Sequence, residues 1–250
     1  LQGFRWDTVD DIAQPGLNNI NRDASGLACW GRLLSKLGGT IAEKRETLWR
    51  TLISDRAFGK HPAPDLNQQF QGWLKFLSFV EMTGCRSQLT VEVRSSEDRK
   101  DALSPQISQE EMLAMLRRIQ HGLGSLGISL SAGKELERWR SLHDFTPEHP
   151  DYSTWYFGFT NKARDFGEAI HGIDRSRRLF RTQRNFLGTG PEQTQAGDMV
   201  YMIPSTTVPY ILRPVSYRRF RVIGEAYIHG VVHKEELKNP CNAMESLCIV

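Results

Sequence analysis

After about Leu179 the apolar residues of this chain stop recurring at helical spacing and begin to alternate. Glycine and proline then punctuate them in a fixed order: Gly188-Thr-Gly-Pro191, Gly197-Asp198, Pro204-Ser205, Pro214 and Gly224. Short apolar runs between such breaks read as short strands joined by turns. Asp198-Met-Val-Tyr-Met-Ile203 is one run, and Pro209-Tyr-Ile-Leu-Arg213 is a second, closed by Pro214. Tyr217 to Ile223 is a third, with Phe220 and Val222 expected on one face and Arg219 and Arg221 on the other. Glu225 to Val232 is a fourth. Four short strands bury too little surface alone, so they are expected to pack on helices.

The preceding sequence supplies those helices. Leu1-Gln-Gly-Phe-Arg-Trp6 reads as a short extended lead, followed by an Asp-rich turn and Pro15-Gly16. Ser25 is placed to cap a first helix that ends at Gly38-Gly39. Thr40 is placed to cap a second, in which Ile41, Leu48, Leu52 and Ile53 recur at helical spacing. Phe58-Gly-Lys-His-Pro-Ala-Pro64 must be a loop, and Asp65 opens a third helix with Phe70, Trp73, Leu74, Leu77 and Val80 in one stripe. The polar stretch 86–107 predicts an exposed, mobile loop, and Ser108 with Glu111 forms a capping-box pattern before another helix. Further helices are expected over 134–142 and 153–170. The fold class is α+β: a mainly helical region 1–175, a small barrel-like antiparallel β unit 176–235, and a tail 236–250.

Composition narrows the function classes. Hydrophobic residues make up 39% and charged residues 24% of 250, as in a globular protein with a proper core. No apolar run is long enough for a membrane span, and Asp7, Asp10 and Asp11 interrupt any signal-peptide core. Cys29, Cys85, Cys241 and Cys248 are scattered and form no C-x-x-C pair, so reduced thiols in a cytoplasmic protein are expected. Net charge is +3, yet Arg175 to Arg221 holds nine arginines against Glu192 and Asp198, or +7, leaving −4 elsewhere.

Motifs for chemistry are weak. His121-Gly-Leu-Gly-Ser-Leu-Gly127 contains G-x-G-x-x-G, but a helical pattern precedes it where a dinucleotide site needs a strand. A glycine-rich helix terminus is the better reading. His229 and His233 lie four apart, but Gly230-Val231-Val232 between them is a poor helix, and no metal or other cofactor is expected. No serine sits in a nucleophile elbow, and no enzymatic activity is expected. The arginines divide into Arg175, Arg177, Arg178, Arg181 and Arg184 before Gly188, and Arg213, Arg218, Arg219 and Arg221 in the strands. Arg178, Arg181, Arg184, Arg219 and Arg221, interleaved with aromatics, are candidate anion or nucleic-acid contacts. Pairing with acids of the helical region, or simply coating a β face, is the competing and favoured expectation.

The order Arg178-Leu-Phe-Arg-Thr182, Gly188-Thr-Gly-Pro191, Gly197-Asp198-x-Val200, Pro209-x-x-Leu212-Arg213, Tyr217 and Phe220-x-Val222-x-Gly224-Glu-Ala-Tyr-Ile-His-Gly230 resembles the C-terminal region of fungal heterokaryon incompatibility (HET-domain) proteins. The likeness covers residues 178–235, and Leu1-Gln-Gly-Phe-Arg-Trp-Asp-Thr-Val9 is similar to the segment that opens their helical middle portion. The family's methionine after His-Gly is replaced by Val231-Val232, and its Gly-Glu by Lys234-Glu235. No segment of the "LSYxWG" type, which marks the N-terminal HET domain, is found. The resemblance implies a role in fungal non-self recognition and programmed cell death, a form of innate immunity. This chain would be the accessory, regulatory half, non-catalytic, with a protein partner or a HET domain of the same polypeptide as its contact. Gly188, Gly190, Pro191, Gly197, Asp198, Arg213, Gly224, Glu225, Tyr227, His229 and Gly230 are expected to be architectural: glycines for turns or close packing, Asp198 for a turn, Tyr227 and His229 for core hydrogen bonds.

Overall fold

The computed structural model describes residues 1–13, 25–83, 117, 120, 121, 124–128, 163–171, 173, 176–231, 238 and 243–250. The loop expected at 86–107, the start of the helix after Ser108, the helix at 134–142, the first part of the helix at 153–170 and His233 lie outside the described residues.

Helices α1 (Ser25–Ser35), α2 (Ile41–Leu52) and α3 (Asn67–Thr83) form where the apolar spacing placed them. Thr40 and Glu43 make a full capping box on α2, each side chain receiving the other's backbone N–H. The Asp65 carboxylate accepts from the Asn67 N–H at the start of α3. Leu48, Leu52, Phe70 and Leu74 are fully buried, and Phe166, from a helical stretch over 163–171, packs within about one ring width of Phe70 and Trp73. Residues 124–127, the described end of the G-x-G-x-x-G segment, close a helix. Gly127, at φ +65, closes the last turn onto the Gly124 carbonyl, and Arg45 donates to the Leu126 carbonyl.

The strands are β1 (Gln2–Ile12), β2 (Arg177–Thr182), β3 (Leu187–Pro191), β4 (Met199–Met202), β5 (Tyr210–Ser216), β6 (Arg219–Glu225), β7 (Tyr227–Ile228), β8 (Glu245–Ser246) and β9 (Cys248–Ile249). They join in one sheet of order β7-β3-β2-β1-β4-β5-β6-β9, with β8 on β1. All pairs are antiparallel except β6–β9, so the sheet is mixed. β6 and β7 are successive stretches of one segment, parted at Ala226, and β7 pairs with β3 at the far end of the order. That segment bridges the two ends of the sheet. The result is a barrel-like curl and not a closed ring.

Three expectations are corrected here. First, the strands are not confined to 176–235. Residues 2–12, read as an extended lead and an Asp-rich turn, form the central strand, and the tail adds β8 and β9. Register shifts at Arg5/Asp7 and Val9/Asp11 break the alternation of β1, so its period-2 signal is lost in the sequence. Second, Gly188-Thr-Gly-Pro191 is strand β3, and β2 precedes it. A Cβ on Gly188 would lie 2.6 Å from the Tyr227 carbonyl oxygen and 2.7 Å from the Phe180 ring, so these glycines admit a neighbouring ring and backbone rather than make a turn. Third, β5 runs through Pro214, and Val222 is 42% exposed. Leu212 and Ile211 face Val222 and Gly224 in turn, which leaves Ile223 as an extra bulged residue, so the period of two holds from Phe220 to Val222 and is lost beyond it.

Three apolar clusters follow from this topology. Phe4, Trp6, Val9, Phe180, Val200, Met202, Ile211, Ala226 and Ile228 pack together within the curl. Leu179 of β2 and Leu187 of β3 join the helices in a second and larger cluster. Tyr201, Ile203, Leu212 and Phe220 form a third with Leu247 of the tail.

Candidate functional site

The sequence-selected residues separate into three groups once placed. The first holds the curl. Asp198 is 2% exposed and receives both the Nε and Nη2 of Arg213, at 2.8 and 2.9 Å, as a forked pair. Its second oxygen also accepts from the Gln195 N–H, and Arg213 donates further to the Gln193 carbonyl. That hydrogen bond to Asp198 raises the Arg213 pKa further above its ordinary value. Gly197 takes φ +90 in the turn before it. Gly224, at φ +145, lets the chain pass Pro191, whose Cγ would meet a Cβ at 2.7 Å. Gly190 leaves room for Thr194 and Phe180, and Gly230 adopts φ +77 after His229. Glu225 accepts from the Tyr210 hydroxyl at 3.0 Å, which raises the phenol's pKa.

The second group lies where β7 meets the end of α2. Tyr227 Oη stands 3.2 Å from His229 Nδ1, and an imidazole unprotonated at Nδ1 accepts the phenol proton. Burial pushes the Tyr227 phenol up and the His229 imidazole down, so both are held uncharged. The Asp55 carboxylate opposes burial at His229, and the Arg50 guanidinium reinforces it. Arg50 is itself fixed by Glu46, by Asp55 at 2.6 Å and by the Ala63 carbonyl, with its guanidinium over the Trp49 ring. Ser54, Asp55 and Phe58 all hold positive φ in the loop that follows, a costly backbone for residues other than glycine. Trp49 Nε1 and Thr189 Oγ1 are buried in this layer without a hydrogen-bond partner among the described residues. Sequence reasoning named Tyr227 and His229 but not Arg50 or Asp55, whose proximity comes only from docking α2 on the sheet.

The third group is the arginines, and the structure divides it. Arg181 is 2% exposed and pairs with Asp10 of β1 while donating to Asn185. Arg178 donates to the Thr194 carbonyl, and burial pulls its pKa down. Arg177 bonds the Thr189 and Glu225 carbonyls, tying β2 to the β6–β7 segment. Arg184 lies over the rings of Trp6 and Phe186. Arg219 and Arg221 are exposed and make no side-chain hydrogen bond or ion pair with a described residue. Of the five candidate anion contacts, Arg178 and Arg181 are thus occupied within the fold. The acid that pairs with this group is Asp10 of β1, and its neighbours Asp7 and Asp11 are engaged elsewhere. Asp7 accepts from the backbone N–H groups of Thr8 and Arg184, and Asp11 pairs with Arg32 of α1.

Among the described residues no group of three or more His, Cys, Asp or Glu is arranged to hold a metal ion. No described helix is long and apolar enough to cross a membrane.

Comparison with known proteins bears on the same region. Residues 161–240 match the Het-6 beta-barrel domain family. Over 62 residues the chain is 34% identical to heterokaryon incompatibility protein 6, OR allele, of Neurospora crassa. That stretch is 24% of this chain and 9% of the Neurospora protein, so this chain corresponds to a small part of that relative's length. No solved structure matches. The match spans β2 to β7, with the Asp198–Arg213 fork, the Gly188 approach and the Tyr227–His229 pair inside it. In this C-terminal region the chain carries a match to the Het-6 beta-barrel domain and is similar to a heterokaryon incompatibility protein.

Proposed function

We propose that this chain is the accessory, non-catalytic C-terminal portion of a heterokaryon incompatibility protein, acting in non-self recognition by contact with protein. One observation carries the reading: the motif residues are spent on architecture. Asp198 and Arg213 saturate each other, Gly188 and Gly224 give room to packed neighbours, and Tyr227 and His229 bond each other in uncharged form. Such a unit presents a shaped surface, and the death response it controls resides in a HET domain of the same polypeptide or of a partner.

The test is co-expression in fungal cells. This chain alone is expected to leave growth unchanged, and together with a HET domain to alter the growth arrest that the HET domain causes. Growth arrest by this chain alone would overturn the non-catalytic reading. An identical response with and without the chain would overturn the regulatory one.

A further inference from the structure

We propose that the β5–β6 hairpin is the surface on which this chain takes up an acidic, extended segment of a partner protein, a proposal that rests on the interaction role above. The hairpin turn is Tyr217-Arg218, with Tyr217 85% exposed and the Arg218 guanidinium over its ring at 5.3 Å. Arg219 and Arg221 follow at every second position, exposed and without side-chain partners among the described residues. From Met199 to Gly224 the sequence has no acidic residue, so no acid of their own hairpin neutralises them. This contrasts with Arg177, Arg178, Arg181 and Arg213, each of which is engaged within the fold.

Arginines on an edge strand alone would be read as a guard against strand pairing. Here exposed apolar groups stand beside them: Val215 is 54% and Val222 42% exposed. Tyrosine, arginine and apolar side chains together are the composition of protein interface centres. On the side away from β5, β6 is paired by β9 at Arg219 and Phe220, and Gly224 and Glu225 are approached by Pro191 and Arg177, so the stretch without a strand partner among the described residues is Arg221 to Ile223. An added strand would find backbone partners there and a row of guanidinium groups alongside. Charge complementarity requires that strand to carry carboxylates. A single nucleic-acid strand is the poorer fit, because three exposed arginines at one turn neutralise only about three phosphates.

The full chain would be titrated by fluorescence anisotropy with three labelled probes: a (Glu-Val)6 peptide, a (Lys-Val)6 peptide and a dT20 oligonucleotide. The acidic peptide is expected to bind tightest. Charge reversal in the Arg219→Glu/Arg221→Glu variant should weaken it about tenfold, and Tyr217→Ala about fivefold, as for central interface contacts. Thermal melting of both variants should match the wild type, since these side chains are exposed. Equal binding of the acidic and basic peptides, or unchanged binding by both variants, would overturn the proposal. Tighter binding of dT20, weakening with salt with a logarithmic slope of about −2, would overturn it in favour of nucleic acid. The two readings fail separately: growth-arrest data test the role in incompatibility, whereas peptide affinity tests the surface itself.

Discussion

At the scale of single residues, the Asp198–Arg213 fork is the contact whose loss is most costly to predict wrongly. Asp198 is buried and receives two guanidinium N–H groups and a backbone N–H. Arg213→Ala leaves that carboxylate uncompensated, and the expected loss is about 3–5 kcal/mol by urea unfolding. Gly188→Ala drives a Cβ into the Tyr227 carbonyl and the Phe180 ring, at an expected cost of about 1–3 kcal/mol. At Gly197 nothing stands within 4 Å and only the positive φ opposes a side chain, so Gly197→Ala should cost less, about 1 kcal/mol. His229 makes a prediction in pH. Burial holds its folded pKa below the ordinary 6.5, so folding favours the neutral ring. That contribution is complete above about pH 6.5 and is lost as pH falls from there through the folded pKa. Urea midpoints at pH 7.5 and 5.5 should converge in His229→Gln relative to wild type, and an unchanged difference would count against the buried neutral histidine.

At the scale of elements, β1 decides whether the curl exists. It lies between β2 and β4 and supplies Phe4, Trp6 and Val9 to the inner cluster, yet it falls outside the family-matched stretch 161–240. A fragment of residues 161–240 is therefore expected to lack dispersed amide NMR signals, and addition of a peptide of residues 1–13 to restore them. A well-dispersed spectrum from the fragment alone would contradict this. The reason β1 was hidden is physical: two register shifts and three aspartates erase its alternation, and the partners of those aspartates lie as far off as Arg181 and Arg184. β3 was hidden because glycines that admit Phe180 look like turn glycines in a sequence. By contrast α2 was legible, since its capping box lies within four residues and its buried face repeats locally. The same division holds for the site. Tyr227 and His229 share one short segment and were visible together, whereas Arg50 and Asp55 reach them only through packing.

At the scale of the whole molecule, the sheet is covered on separate areas by separate parts of the chain. Helices cover Leu179 and Leu187, and the tail covers Tyr201, Leu212 and Phe220 with Leu247. Leu247→Ala should destabilise by about 2 kcal/mol, lowering the melting temperature by roughly 4–8 °C for a chain of this size. Binding of a hydrophobic dye should rise with it, and a variant that melts like wild type would show that the tail is not part of the folded unit. The place of β1 has a further consequence in time. The central strand is made well before its neighbours β2 and β4, with 164 residues between Ile12 and Arg177. At ribosomal rates of about 5–20 residues per second, Phe4, Trp6 and Val9 wait roughly 10–30 s for the strands that bury them. A nascent chain of this kind carries an apolar strand well ahead of the strands that bury it, and its yield in a cell depends on what shields that strand during synthesis.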